Sequence, residues 1–472
     1  MIKKQYRSEI DGLRAIAVIP VIFYHFNIAY FNGGFLGVDI FFVISGYLIT
    51  SLILNEIDNK NFSLMNFFER RIRRIIPALY SVIILSSIMS WFLMSSGMIW
   101  DFWQSVTASI LFLSNFLFAI ENDYFAISSK YKPLIHTWSL SIEEQFYLFF
   151  PIIFLLFYNK SKIIFHLILI IISLFSLVIF IKNFQLPYDP DNKIFSRINE
   201  VGFGSYFITF GRIWELLFGS LISIFFNKKQ YGSNLLSICG FSLILFCILF
   251  YNEDFFSREY YSLLIVLSTS ILIIFTSKHT WLGNILSNKL LVFTGLISYS
   301  LYLTHQPVIT FVTIYFNNLN SFSIFISTII IFILSITIYY LIEKPFRDRS
   351  KIGSKFIFIL FFFVTLLILL ISIIALKDKF INLQYNHTIS NIDKKFSSLI
   401  LNMKNEANKA NNKIKKIKNN ISNEINDNSI IFIGDSQSWD WIRSLYTTDL
   451  KNNYNFITFE TDFSCYKYLN KL

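Results

Sequence analysis

Residues Ile10–Tyr30 read IDGLRAIAVIPVIFYHFNIAY, an apolar run of membrane-spanning length that nevertheless carries Asp11, Arg14 and His25. A helix rising about 1.5 Å per residue crosses a hydrocarbon core of about 30 Å in roughly twenty residues. Runs of this kind recur down the chain. Eleven candidate spans lie near Ile10–Tyr30, Phe35–Leu54, Ile75–Met94, Leu140–Tyr158, Ile163–Ile181, Tyr206–Phe226, Leu235–Phe250, Tyr261–Thr276, Leu290–Tyr315, Phe322–Ile342 and Lys355–Ala375. Val106–Ile120 is shorter and broken by polar residues, and reads as an interfacial or partly buried helix. The expected fold is an all-α polytopic membrane helical bundle.

Composition agrees. The 472 residues are 54% hydrophobic and 19% aromatic, which rules out soluble domains for most of the length. A net charge of +11 would point to nucleic acid in a soluble protein. Here the cations alternate between loops. With a cytoplasmic N-terminus, the inner segments hold Lys3, Lys4 and Arg7, then Arg70, Arg71, Arg73 and Arg74, and later Lys344, Arg347, Arg349, Lys351 and Lys355. The outer loops hold far fewer, as the positive-inside rule requires. The expected surroundings are membrane lipids, with no nucleic-acid partner and with everything after Ala375 outside. Cys239, Cys247 and Cys465 form no disulfide or zinc pattern, and no metal is expected. The charges in the first run, and the lack of a small-residue cleavage site after it, argue against a removable signal peptide.

After the eleventh span the pattern changes. Residues 377–428 are polar and rich in Lys and Asn, as in an exposed linker. Ser429–Ile433 reads as a buried strand and Gly434-Asp-Ser436 as the turn that ends it. The expected division is a membrane domain over 1–350, a further transmembrane helix over 351–376, the linker, and a small α/β segment over 429–472.

Ionisable groups inside spans are costly and are functional candidates by default. Asp11 and Arg14 are three apart and share a helix face. Arg14 and His25 are eleven apart, close to three full turns, so they share a face about 16 Å apart along the axis. The alternative is an interfacial pair with His25 as a packing residue. Glu143 and Glu144 lie in the outer third of the fourth span, at a depth that matches His25. A carboxylate there could orient the imidazole as a general base, or only line a polar vestibule. Arg212 and Glu215 are again three apart, and fit a structural ion pair equally well. His305 precedes Pro307, which is expected to kink its helix and free carbonyls beside the imidazole. The basic segment Phe67–Pro77 suits either a lipid-headgroup anchor or a phosphate site.

Several ordered motifs together resemble one family. They are YRSEIDGLRAIAV from Tyr6, His25, GFLGVDIFFVISGYLI from Gly34, Arg71-x-Arg73, WSLSIEEQFY from Trp138, GRIWEL from Gly211, ISYSLYL from Ile297 and EKPFR from Glu343. This set resembles the acyltransferase-3 family of bacterial membrane O-acyltransferases, over about Tyr6–Arg347. The resemblance implies a ten-helix acyltransferase unit, followed by an eleventh linking helix, in the bacterial cytoplasmic membrane. It implies an acyl-coenzyme A donor, acetyl-CoA above all, and a hydroxyl of a cell-surface glycan or lipid-linked sugar as acceptor. Arg14 and His25 are implied to be essential, with Arg71 and Arg73 serving the donor.

The tail resembles the start of an SGNH hydrolase-like domain, with Ser436 as its nucleophile. No Asp-x-x-His follows Ser436, so a truncated, inactive domain is expected, or a separate outer-face partner that handles the acyl group. The rivals are a secondary transporter and a truncated acyltransferase that no longer works. No inverted repeat of broken helices supports the transporter.

Overall fold

A computed structural model describes residues 6–121, 129–158, 160–182, 204–226, 231–316, 319–377, 429–434 and 455–460. The chain divides into two compact units, Met1–Asn382 and Leu383–Leu472.

The first unit is a helical bundle. Its α-helices in chain order are α1 (Ser8–His25), α2 (Gly37–Asp58), α3 (Leu64–Leu93), α4 (Ser96–Ile110), α5 (Ser114–Ile120), α6 (Thr137–Phe157), α7 (Lys162–Lys182) and α8 (Thr209–Phe226). There follow α9 (Asn234–Leu249), α10 (Arg258–Phe275), α11 (Trp281–Leu286), α12 (Lys289–Leu296), α13 (Ser298–Phe316), α14 (Ser321–Ile338), α15 (Lys344–Arg347) and α16 (Ser354–Ala375). Among the described residues, eight helices are long and apolar enough to cross a membrane. The three charged residues of α1, Glu9, Asp11 and Arg14, leave it outside that set.

Burial sorts the centre from the rim. The most apolar stretch of the α2 helix is 78% buried, against 28% for α7 and 22% for α16. Phe362, Phe363, Leu367 and Leu370 on α16 stay exposed, as lipid-facing side chains do. At the centre α2 and α8 cross at glycines. A Cβ on Gly46 would lie 1.8 Å from the Leu216 carbonyl oxygen, and one on Gly219 would lie 2.1 Å from that of Val43. Small residues let two backbones approach where lipid offers no hydrophobic drive for association.

Several boundaries differ from the sequence expectation. Val106–Ile120 is not one helix. It is parts of α4 and α5, separated at a corner where Phe112 takes a φ of 53° and its carbonyl accepts a bond from Gln145 at 2.9 Å. The span at Leu290–Tyr315 is also two helices, and the interruption lies at Ile297. Helix α13 continues through Pro307. The basic segment Phe67–Pro77 belongs to the thirty-residue α3. Between α14 and α15 the chain winds through a π-helical turn, Tyr339–Glu343. An extra residue per turn rotates the following side chains. Here Glu343 is buried and accepts a bond from Ser300 at 2.8 Å while pairing with Arg347.

In the second unit two strands are described, β1 (Ser429–Gly434) and β2 (Asn455–Glu460). They pair in parallel, with Ser429 opposite Asn455 and Gly434 opposite Glu460. Parallel pairing excludes a simple hairpin.

Candidate active site

Three helices each present a polar stripe to one seam of the bundle. On α1 it runs from Arg14 to His25. On α6 it runs from Tyr147 through Glu143 and Ser139 to His136, the residue just before the helix. On α13 it runs from Tyr299 through Tyr302 to His305. Spacings of three, four and eleven residues keep each set on one face. Between the stripes, α2 and α3 close a cavity that is partly open to solvent. Arg14, Arg71 and Arg74 line it with Ser45, Glu143, Tyr147 and Tyr299. Val38, Phe41, Ile44, Leu48, Ile49, Ile75 and Leu140 make the rest of the wall apolar.

One end of the cavity is basic. Arg14 is 9% exposed and meets Asp11 at 3.2 Å, with Arg74 and Arg347 as cationic neighbours. Asp11 also accepts a bond from the Tyr6 hydroxyl at 2.5 Å. The Arg71 guanidinium lies 5.8 Å from the Phe67 ring and 5.7 Å from that of Tyr147. Among the described residues, neither Arg71 nor Arg74 has a carboxylate within ion-pair distance. Glu144 is a compensating carboxylate for Arg71 beyond ion-pair distance, and Glu143 acts likewise on Arg74 and Arg14. Glu143 itself accepts bonds from Ser45 at 3.1 Å and Tyr147 at 2.8 Å. The arrangement leaves guanidinium donors turned into a cavity, as binding a multiply charged anion requires.

Next to the cavity, beside Tyr302, the seam holds a row of imidazoles. The ring centroids of His25 and His305 are 5.2 Å apart, and those of His305 and His136 are 5.3 Å apart. Tyr302 belongs to both regions. It lines the cavity, and its ring lies 5.3 Å from His305 and 5.5 Å from His136. Its hydroxyl bonds Ser139 at 2.6 Å and the His136 carbonyl at 3.0 Å. Among the described residues, no group of three or more His, Cys, Asp or Glu could hold a metal ion.

The seam therefore brings together Arg14, Arg71, Glu143 and Glu144 at its basic end, and His25 and His305 at the other. The ring that His25 faces is His305, and the hydrogen-bond donors to Glu143 are Ser45 and Tyr147. Arg73 stands apart. It is 1% exposed, pairs with Glu69 at 2.7 Å and donates to the carbonyls of Phe346 at 3.1 Å and Ile352 at 2.7 Å. One helix position along, Arg74 takes the cavity-lining place. Arg212 and Glu215 form a separate buried cluster with Asp39. Ser436 follows β1 and lies outside the described residues. The sequence reading missed His136, Arg74, Asp39 and Tyr302. The first could have been found, since His136 and Glu143 are seven apart on one helical face.

Residues 7–344 match the family model of the Acyl_transf_3 acyltransferase domain. The chain belongs to the acyltransferase-3 family. Three relatives show its range. A Staphylococcus aureus (strain MSSA476) protein named "Putative O-acetyltransferase" is 34% identical over 366 residues, covering 74% of this chain and 58% of the relative. The "Putative peptidoglycan O-acetyltransferase YrhL" of Bacillus subtilis (strain 168) is 33% identical over 367 residues, covering 73% and 56%. The "O-acetyltransferase OatA" of S. aureus (strain MRSA252) is 33% identical over 427 residues, covering 84% and 67%. This acyltransferase-3 chain thus spans a little over half the length of the first two. No solved structure matches it significantly.

Proposed function

We propose that this chain moves an acetyl group from acetyl-CoA to a hydroxyl of a cell-surface glycan. One observation carries the proposal: a single polar seam joins a guanidinium-lined cavity to the imidazole of His25. Arg71 and Arg74, with Arg14 behind them, suit the phosphates of the donor. The apolar walls of the cavity suit its flexible arm, which reaches toward Tyr302 and the histidines. His25 then accepts the proton of the acceptor hydroxyl as its oxygen attacks the acetyl carbonyl carbon and the carbon–sulfur bond breaks. Glu143 and Glu144 offset the cations of the basic end. A sugar acceptor is supported by the relative named for peptidoglycan. With the N-terminus cytoplasmic, the basic end would face the cytoplasm and the second unit would lie outside, where it or a separate partner would meet the acceptor.

The test feeds membranes holding the full chain with acetyl-CoA labelled in the acetyl group. Label is expected in the glycan fraction, and His25→Ala is expected to lower its rate by about 10²- to 10⁴-fold. Equal labelling by the wild type and His25→Ala would overturn the proposal.

A further inference from the structure

Three imidazoles from three separate segments meet inside an apolar bundle. His25 ends α1, His136 immediately precedes α6, and His305 lies in α13 between them. Two imidazoles bridged by one N–H···N bond of about 2.9 Å have centroids roughly 5 Å apart. The observed 5.2 and 5.3 Å match the separation that each link requires.

His136 and His305 are 3% and 0% exposed, and none of their four ring nitrogens has a hydrogen-bond partner. The backbone carbonyls of Pro133 and Leu303 act on His136, and those of Leu301 and Tyr302 on His305, without an aligned hydrogen bond. Buried polar atoms left unpaired are costly and call for a reason. The other titratable groups against the row are Tyr24 of α1 and Tyr302 of α13, whose hydroxyl is already engaged elsewhere. Among the described residues, the charged group acting on His136 is His25, and those acting on His305 are His25 and His136. With no carboxylate to pin a positive charge at one ring, a proton arriving at His25 is free to move along the row.

We propose that His305 and His136 relay the proton that His25 takes from the acceptor hydroxyl. This rests on the acetyl-transfer function proposed above. The hydroxyl oxygen bonds the acetyl carbon, and the sulfur leaves with the electron pair of the broken bond. His25 receives the hydroxyl proton on one nitrogen and passes the proton of its other nitrogen to His305. His305 passes one on to His136, which releases it to water. The thiolate takes one proton from water once coenzyme A leaves the cavity, so none is gained or lost in total. Neither His305 nor His136 touches the reacting atoms. Both are positioning residues acting through His25.

The experiment measures kcat and KM for acetyl-CoA in membranes with the full chain, using their own glycan fraction as acceptor. The variants are His305→Gln, His136→Gln, His25→Gln and His305→Gly with added imidazole. For the first two, kcat is expected to fall about 10²-fold with donor KM within about twofold, which also shows that the fold survives. Imidazole is expected to restore His305→Gly. Unchanged kcat in either Gln variant, or a loss in His305→Gly that imidazole does not reverse, would assign both residues to packing and end the relay. An active His25→Gln chain would remove the acetyl-transfer function itself, which separates the two failures.

Discussion

Two buried arginine clusters sit in the same bundle and are built in opposite ways. Arg212 is 0% exposed, pairs with Asp39, and has Glu215 at 2.7 Å. Its guanidinium lies 4.5 Å from the Tyr206 ring and within 6 Å of Phe42, Trp138 and Phe180. Two carboxylates and four aromatic faces enclose one cation. At the basic end of the seam the ratio is reversed. Arg14, Arg71 and Arg74 line a cavity, and among the described residues only Arg14 has a carboxylate within ion-pair distance. A buried cation that is fully compensated holds helices together, whereas cations left in excess around a cavity are arranged for an anion that arrives from outside.

Stability and donor binding should therefore separate between the clusters. The largest effect is expected for Arg212→Leu, which strands Asp39 and Glu215. A loss of about 3–5 kcal/mol in detergent unfolding is expected, because breaking a buried pair leaves uncompensated charge. Wild-type stability in that variant would dissolve the contrast. Next, Arg71→Gln and Arg74→Gln should each weaken coenzyme A binding by about 1.5–3 kcal/mol, the range for hydrogen bonds to charged groups. Their unfolding midpoints should hold or rise, and wild-type affinity should drop with added salt. A calorimetric titration at two ionic strengths reads both. The smallest effect sharpens the boundary between the clusters. Arg73→Gln should cost about 1–3 kcal/mol of stability through its lost bonds to Glu69, Phe346 and Ile352. Coenzyme A affinity should not change, and a clear loss of affinity would return Arg73 to the donor site.

The Arg71-x-Arg73 motif shows how far sequence resemblance reaches. It lies on the turn of α3 that lines the cavity. Which guanidinium faces the cavity depends on how α3 is rotated against its neighbours, and consecutive residues point about 100° apart. Arg71 and Arg74, three apart, share the cavity face, while Arg73 turns to Glu69 and the carbonyls of Phe346 and Ile352. The histidines carry the same lesson. Arg14 and His25 were legible as one stripe because both lie on one helix. The partner of His25 was not, because His305 is 280 positions away and the helices α2 to α12 between them in sequence order are no guide to distance in space.

Local chemistry written along the chain was enough for the helical class, the spans near α2, α7 and α16, the polar faces of α1 and α6, and family membership. These depend on hydropathy and on spacings within a single helix, which the 1.5 Å rise and 3.6-residue turn convert directly into geometry. Only the packed bundle decided that His136 joins the imidazole row, that Asp39 meets Arg212, that Arg74 lines the cavity, and that helices break at Phe112 and Ile297. Each of those depends on the rotation and crossing of helices distant in sequence, and that is set by close-packed side chains and glycine contacts such as Gly46 on Leu216.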